Sequence, residues 1–259
     1  MSSLEKKSTG ECNESKTPEI SGIKETVNYP FGQTQGRENA RLLFDFSLGV
    51  GAFDADQKNL KVLDFACGTG WTSEWLNKFG FDVYAFDVDP KAIQVADQKL
   101  KLDARIDKFR YHTKVADGHT LPYENNFFGQ SFCFDSLHHI NDYEKALTEL
   151  RRVLISGGRA VFVEPGSRHS TSPETVKFLK EHNFGDWWVE KDVDLVQIWD
   201  IAQRVGFKEL RVKPFFQPSM VNYSLWEWYN ILDNPEGIKN YMTELRRYAF
   251  EDRVVFYLA

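Results

Sequence analysis

The chain has 259 residues and a formal net charge of −6, with 32 Lys and Arg against 38 Asp and Glu. That length suffices for one sizeable core with extra segments, and that charge argues against a nucleic-acid partner, whose phosphates call for a basic face. No apolar run reaches the roughly 18 residues of a membrane span, the N-terminus lacks a signal-like apolar core, and Cys12, Cys67 and Cys133 show no paired spacing, as in a reduced, cytosolic protein.

Residues 1–24 are rich in Ser, Lys, Glu and Asn and read as a disordered tail. Residues 25–59 form an arm and a helix. Val27 to Gln35 carries turn signals and rings that suit a flap, and Leu42, Leu43, Phe46 and Val50 then recur at helical spacing. Tyr29, Phe31 and Arg37 either border a site or pack the arm.

From residue 60 the pattern changes. Val62-Leu63-Asp64-Phe65 is a short apolar run, as in a buried parallel strand. The turn Ala66-Cys67-Gly68-Thr69-Gly70 lets backbone approach a ligand. A helix then begins near Thr72, whose hydroxyl, with Ser73 and Glu74, suits the exposed N–H groups of a first turn. Gly80 ends that helix, and Val83 to Phe86 forms a second strand that delivers Asp87 to its tip. A β-α-β unit with a glycine turn and an acid at the second strand tip should bind a ribose-bearing ligand. The third small residue of a dinucleotide fingerprint is missing: Trp71, Thr72 and Ser73 follow Gly70, and the Trp71 ring crowds a diphosphate. Asp64 suits a cationic ammonium group instead. Acids on both sides of the turn describe S-adenosylmethionine.

Asp64 to Gly70 resembles motif I of class I S-adenosylmethionine-dependent methyltransferases, with Ala66 where the motif usually has its first glycine. The run from Asp117 to His139, including Leu137-His138-His139, is similar to the type-11 branch of that family. The resemblance implies an α/β fold, a doubly wound Rossmann-like seven-stranded sheet with its last strand antiparallel, and helical insertions forming a substrate cap. It also implies roles. Asp87 would hold the ribose hydroxyls, Val88 would flank the adenine, and Asp117 with Gly118 would receive its exocyclic amine. Gly68 and Gly70, with Asp64, Ala66 and Cys67 of the same motif, would lie beside the methionyl end, lined further by Phe134 and Asp135. Trp71 either packs on the cofactor or in the core.

Further along, a helix runs from Lys91 to Leu102 after Pro90. Strands follow at Phe109–Thr113, Gln130–Asp135 and Arg159–Val163, and an amphipathic helix from Tyr143 to Leu154 is capped by Gly157-Gly158. Lys208–Val212 and Arg253–Leu258 read as the last strands. The methyltransferase core is thus expected over residues 60–213 with an insertion at 166–193, followed by an aromatic helical cap at 214–250 and a final core strand at 251–259.

Asp64, Asp87, Asp117, Asp135 and Glu164 stand at five strand tips, where an open α/β sheet binds ligands. Methyl transfer needs the acceptor held on axis, and a base helps if the acceptor is a hydroxyl. His138 and His169 are the candidate bases, and His139 reads as structural. No metal is expected: His138 and His139 are adjacent and cannot share a face, and no Cys/His spacing fits a site. Tyr29, Arg37, Glu164, Arg168 and Trp226 are candidate acceptor residues. The run Glu164 to Ser170, with Glu190-Lys191-Asp192, resembles methyltransferase segments associated with glycan assembly. That points to O-methylation of a sugar or glycan-linked acceptor, with a small natural product or lipid-like quinone as the alternative acceptor. A catalytically inactive module keeping the cofactor pocket is a third reading. A nicotinamide oxidoreductase is disfavoured by Trp71 and Ser73.

Overall fold

The computed structural model describes residues 29, 36–181, 189–213, 224–247 and 253–259, with backbone only for 36–39 and 244–247. The expected tail, Phe31, the Arg37 side chain and Trp187-Trp188 of the insertion lie outside the described residues. Helix α1 (Gly36–Val50) precedes β1 (Lys61–Phe65), α2 (Trp71–Lys78), β2 (Asp82–Asp87), α3 (Pro90–Leu102), β3 (Tyr111–Val115) and β4 (Phe128–Phe134). Then come α4 (Tyr143–Val153), β5 (Leu154–Pro165), α5 (Pro173–Glu181), α6 (Leu195–Arg204), β6 (Leu210–Val212), α7 (Leu225–Asp233), α8 (Pro235–Arg247) and β7 (Arg253–Leu258).

The strands make one seven-stranded sheet in the order β3-β2-β1-β4-β5-β7-β6. β1 to β5 pair in parallel, and β7 runs antiparallel to β5 and β6, as expected. The chain turns back between β1 and β4, so the switch-point crevice opens at their carboxyl ends. Both faces are covered. Val161 and Val163 pack with Val62, Val83, Phe132 and Phe46 of α1 on one face. Phe162 packs with Leu63, Phe65, Phe86 and Leu147 of α4 on the other. This alternation at period two, apolar on both sides, is what a buried parallel strand needs.

One local expectation is corrected. Gly157 and Gly158 do not cap α4; they lie within β5, which starts at Leu154 and continues to Pro165. Gly157 has φ 77°, and the pairing slips there from Phe128–Leu154 to Gln130–Arg159. A Cβ on Gly158 would stand 2.9 Å from the Gly129 carbonyl, so the bulge requires glycine. The aromatic segment forms helices α7 and α8, joined by an edge contact between Trp228 and Tyr241 at 5.6 Å, but Leu225, Trp226, Tyr229, Leu232, Ile238 and Met242 stay exposed. Among the described residues no helix is long and apolar enough to cross a membrane.

Candidate functional site at the carboxyl edge of the sheet

Backbone conformation marks the site first. Ala66, Gly68 and Gly70 after β1, and Asp135 after β4, have φ of 54°, 54°, 77° and 49°. For a residue with a Cβ this left-handed region costs about 1–2 kcal/mol, and such strain concentrates at functional sites. The two glycines do different jobs. A Cβ on Gly70 would lie 2.6 Å from the Tyr111 hydroxyl and 2.9 Å from Ala96 Cβ, so Gly70 lets α2 sit against α3 and β3. A Cβ on Gly68 would meet nothing within 4 Å, which leaves that side of the turn open to a ligand.

Asp87 closes the turn from β2. Its Oδ2 accepts the Gly68 N–H at 2.8 Å and its Oδ1 accepts the Asp89 N–H at 2.9 Å. Burial raises its carboxyl above the usual range, opposed by those amides. Each oxygen keeps a second lone pair. Beside it Val88 is 66% exposed. Across the crevice the Asp117 side chain, 62% exposed, accepts the His119 N–H, while Gly118 lies flat on the Phe65 ring, which a Cβ would strike at 2.5 Å.

Asp64 departs from its expected part. It is 1% exposed, and its Oδ2 accepts the hydroxyls of Thr72, at 2.7 Å, and Ser73. It therefore ties β1 to α2 from a buried position. Burial pushes its carboxyl up to about 6, with the two hydroxyls opposing. The same bonds correct the expectation for Thr72 and Ser73, which serve Asp64 rather than the helix N–H groups, Gly70 being the helix cap. Ala66 and Cys67 offer the crevice backbone only in the case of Cys67, whose thiol is buried and bonds the Gly68 carbonyl at 3.5 Å.

Trp71 and Phe134 belong to the core. Their rings meet edge-on at 5.0 Å, and Trp71 also touches Phe46 and Tyr29. Tyr29 is held by its carbonyl, which accepts from the buried Lys99 Nζ at 3.1 Å. Burial pushes that lysine down to about 8 against the pull of Glu74. The Tyr29 hydroxyl titrates above the usual range through burial and the charge of Asp135. Sequence reasoning missed the group that organises this corner. Arg253, buried at the start of β7, donates through Nε to Asp45 of α1 at 3.0 Å and through both terminal nitrogens to Asp135. Its guanidinium lies 4.9 Å over Phe134. An arginine opening an apolar strand, and an aspartate inside an apolar helical stripe, were the available signals.

The histidines converge at the tips of β4 and β5. Glu164, expected to meet the acceptor, is fully buried. It accepts the N–H groups of Ser136, Leu137 and His138 at 3.1, 2.9 and 3.4 Å and pairs with His138 Nδ1 at 2.8 Å. It therefore fixes the turn Leu137–His139 instead of touching substrate. Burial works against its charge, but the His138 bond and the amides hold it below the usual carboxyl range. Burial likewise opposes charge on His138, yet Glu164 holds that imidazole above its ordinary value. His138 Nε2 faces Glu190 Oε2 at 3.5 Å, and His169 Nε2 lies 2.7 Å from the same oxygen. The other nitrogen of His169 is 3.3 Å from Thr175 Oγ1. His169 thus has both ring nitrogens in hydrogen bonds, while His138 has Nδ1 bonded and Nε2 only within ion-pair range of Glu190, and a general base needs a free lone pair. His139 donates to the Val189 carbonyl at 2.8 Å, in keeping with a structural role. Arg168 is exposed at the foot of the short turn His169–Thr171. Trp226 is 74% exposed, and its described ring neighbour is Tyr229 on its own helix.

Residues 63–162 match the family profile described as a methyltransferase domain. Methyltransferase GfsG of Streptomyces halstedii is 30% identical over 105 residues, covering 40% of this chain and 37% of that protein. The probable chloroplastic tocopherol O-methyltransferase of Oryza sativa subsp. japonica is 26% identical over 191 residues, 66% of this chain and 50% of that protein. The chain thus spans about half the length, or less, of these curated relatives. Among solved structures, phosphoethanolamine N-methyltransferase 2 of Haemonchus contortus in complex with S-adenosyl-L-methionine superposes with a TM-score of 0.55 at 18% identity, covering 93% of this chain and 60% of that one. That likeness is one of fold. The strand end and glycine turn at Asp64–Gly70 lie inside the segment that matches the methyltransferase-domain profile.

Proposed function

We propose that the protein is an S-adenosylmethionine-dependent methyltransferase acting on an oxygen of a small organic acceptor. The observation that carries the reading is the open glycine turn at Gly68 beside the two-oxygen anchor of Asp87. Asp87 would accept both ribose hydroxyls with its remaining lone pairs. Val88 would flank the adenine, Asp117 would receive its amine, and the backbone of Ala66 to Gly70 with Asp135 and Tyr29 would border the methionyl end. When bound, the cofactor supplies an electrophilic methyl group on a sulfonium. The chain's part is to hold the acceptor oxygen on the axis of that carbon and to keep water out, which is chiefly a matter of positioning. The acceptor would lie over the tips of β4 and β5.

Between the two acceptor classes considered, a lipid-like or aromatic natural product is favoured over a sugar. A relative carries the name of a tocopherol O-methyltransferase, and α7 presents Leu225, Trp226 and Tyr229 to the outside. The test is turnover of methyl-labelled S-adenosylmethionine against phenolic, quinol and sugar acceptors. Labelled product from the first two groups supports the reading, and product from sugars alone would reverse the acceptor assignment. Cofactor binding without turnover on any of them would leave a binding module.

A further inference from the structure

We propose that His138, His169 and Glu190 form a site for one divalent transition-metal cation of the zinc class, at the acceptor end of the proposed methyltransferase site. The ligand atoms of the three side chains lie within 4.8 Å of one another. They come from three separate segments: the turn after β4, the turn after β5 and the irregular stretch before α6. Two imidazoles and one carboxylate are the donor set of an open, three-ligand zinc site.

The hydrogen bonds of the two histidines are compatible with a cation at the centre. His138 Nδ1 lies 2.8 Å from Glu164, a fully buried carboxylate that can only accept, so that nitrogen carries the proton. In a neutral imidazole Nε2 then presents a lone pair, and it faces Glu190 Oε2 at 3.5 Å. A proton on Nε2, or a metal ion between the two atoms, makes that contact attractive. His169 Nε2, 2.7 Å from the same oxygen, donates to it when Nδ1 accepts from the Thr175 hydroxyl, and a metal ion can take the place of that proton. One metal ion serves both contacts at once. With Glu164 and Glu190 ionised and the imidazoles neutral, the four side chains carry −2, which a divalent ion offsets.

The outer shell fits as well. Ligating histidines usually give their second nitrogen to a carboxylate or another oxygen, and here Glu164 takes that of His138 while Thr175 Oγ1 stands 3.3 Å from that of His169. The segment carrying Glu190 is pinned in place: the Lys191 N–H donates to the His138 carbonyl at 3.2 Å, and the Ser170 N–H donates to Asp192 Oδ1 at 2.8 Å. Tetrahedral binding at about 2.0–2.2 Å per ligand sets donor atoms roughly 3.3–3.5 Å apart. His138 to Glu190 already meets this, and His169 to Glu190 must widen by roughly 0.6–0.8 Å. His169 is the solvent-facing member, its side chain 24% exposed, so it can make that move and the ion has a way in. The fourth position would open toward solvent, where an acceptor oxygen or water could bind.

The experiment strips the protein with a chelator and titrates it with Co2+ and with Zn2+, following heat and the visible Co2+ spectrum. One ion per chain with tetrahedral Co2+ bands is expected, with affinity falling at least tenfold in Glu190→Gln and in His169→Asn, and about 10–100-fold in Glu164→Gln through the outer shell. S-adenosylhomocysteine titration of each variant reports whether it is folded, and it tests the methyltransferase reading separately. Wild-type protein that binds S-adenosylhomocysteine but takes up no stoichiometric Co2+ or Zn2+ overturns the metal site alone. Equal metal binding by folded Glu190→Gln and wild type overturns it too.

Discussion

Replacing Arg253 with methionine should cost about 3–4 kcal/mol of folding stability at pH 7, and most of that loss should vanish in acid. The guanidinium joins Asp45, whose side chain is fully buried, to Asp135, which is 35% exposed. Without it Asp135 can be rehydrated but Asp45 cannot. Removing one partner of a buried ion pair costs about 3–5 kcal/mol because it strands the other charge. Protonation sets the ceiling: each pH unit above an ordinary aspartate value of about 3.9 costs about 1.4 kcal/mol, hence about 4 kcal/mol at pH 7 and about 1.5 kcal/mol at pH 5. Losing the cation–π contact with Phe134 adds about 0.5–1 kcal/mol at either pH. Urea unfolding followed by tryptophan fluorescence at both pH values measures this. Asp45→Asn in the same chain should recover at least half of the pH 7 loss. A loss below 1 kcal/mol, or one that does not change between pH 7 and pH 5, refutes the stranded-charge argument.

The backbone of the turn makes a second prediction. Ala66 stands at φ 54°, so Ala66→Gly should stabilise the fold by about 0.5–1 kcal/mol, the relief of left-handed strain less the greater chain entropy of glycine; destabilisation in the same urea assay would count against strain there. Asp64 gives a pH-dependent one. Its folded value of about 6 lies above the ordinary aspartate value, so ionised Asp64 opposes folding: its penalty is absent below about pH 4, grows through pH 6 and approaches 3 kcal/mol at most above it. Asp64→Asn keeps an acceptor for Thr72 and Ser73 and should raise stability by about 1–3 kcal/mol at pH 8 while changing little at pH 4. An unchanged pH slope would mean that the carboxylate is solvated after all.

What the sequence disclosed was what is local. The run Val62 to Asp87 holds a strand, a turn, a helix and a second strand whose apolar spacing and glycines are contiguous, so the turn, the Gly80 stop and the place of Asp87 could be read without a fold. The strand tips could be read as well, because strands end where apolar runs end. Which tip faces a ligand could not. Asp64 and Glu164 look like Asp87 in sequence, but one is bonded to α2 and the other to the Leu137–His139 turn, and only the packed structure shows both buried. Arg253 and Asp45, from opposite ends of the chain, meet because β7 inserts antiparallel beside β5. His138, His169 and Glu190 are likewise joined by the sheet and not by spacing, so a search for metal-ligand intervals along the chain passes over them. Gly157 and Gly158 misled for a related reason: a glycine pair after a helix reads as a cap, but the neighbouring strand claims it for a bulge.

The central claim is a cofactor site built on the Gly68 turn and Asp87. Calorimetric titration of the wild type and of Asp87→Ala with S-adenosylhomocysteine tests it most directly. The account predicts micromolar-range binding that the substitution weakens by more than about 1.4 kcal/mol, a factor of ten. Absence of binding to the wild type, or equal binding by both proteins, would contradict it.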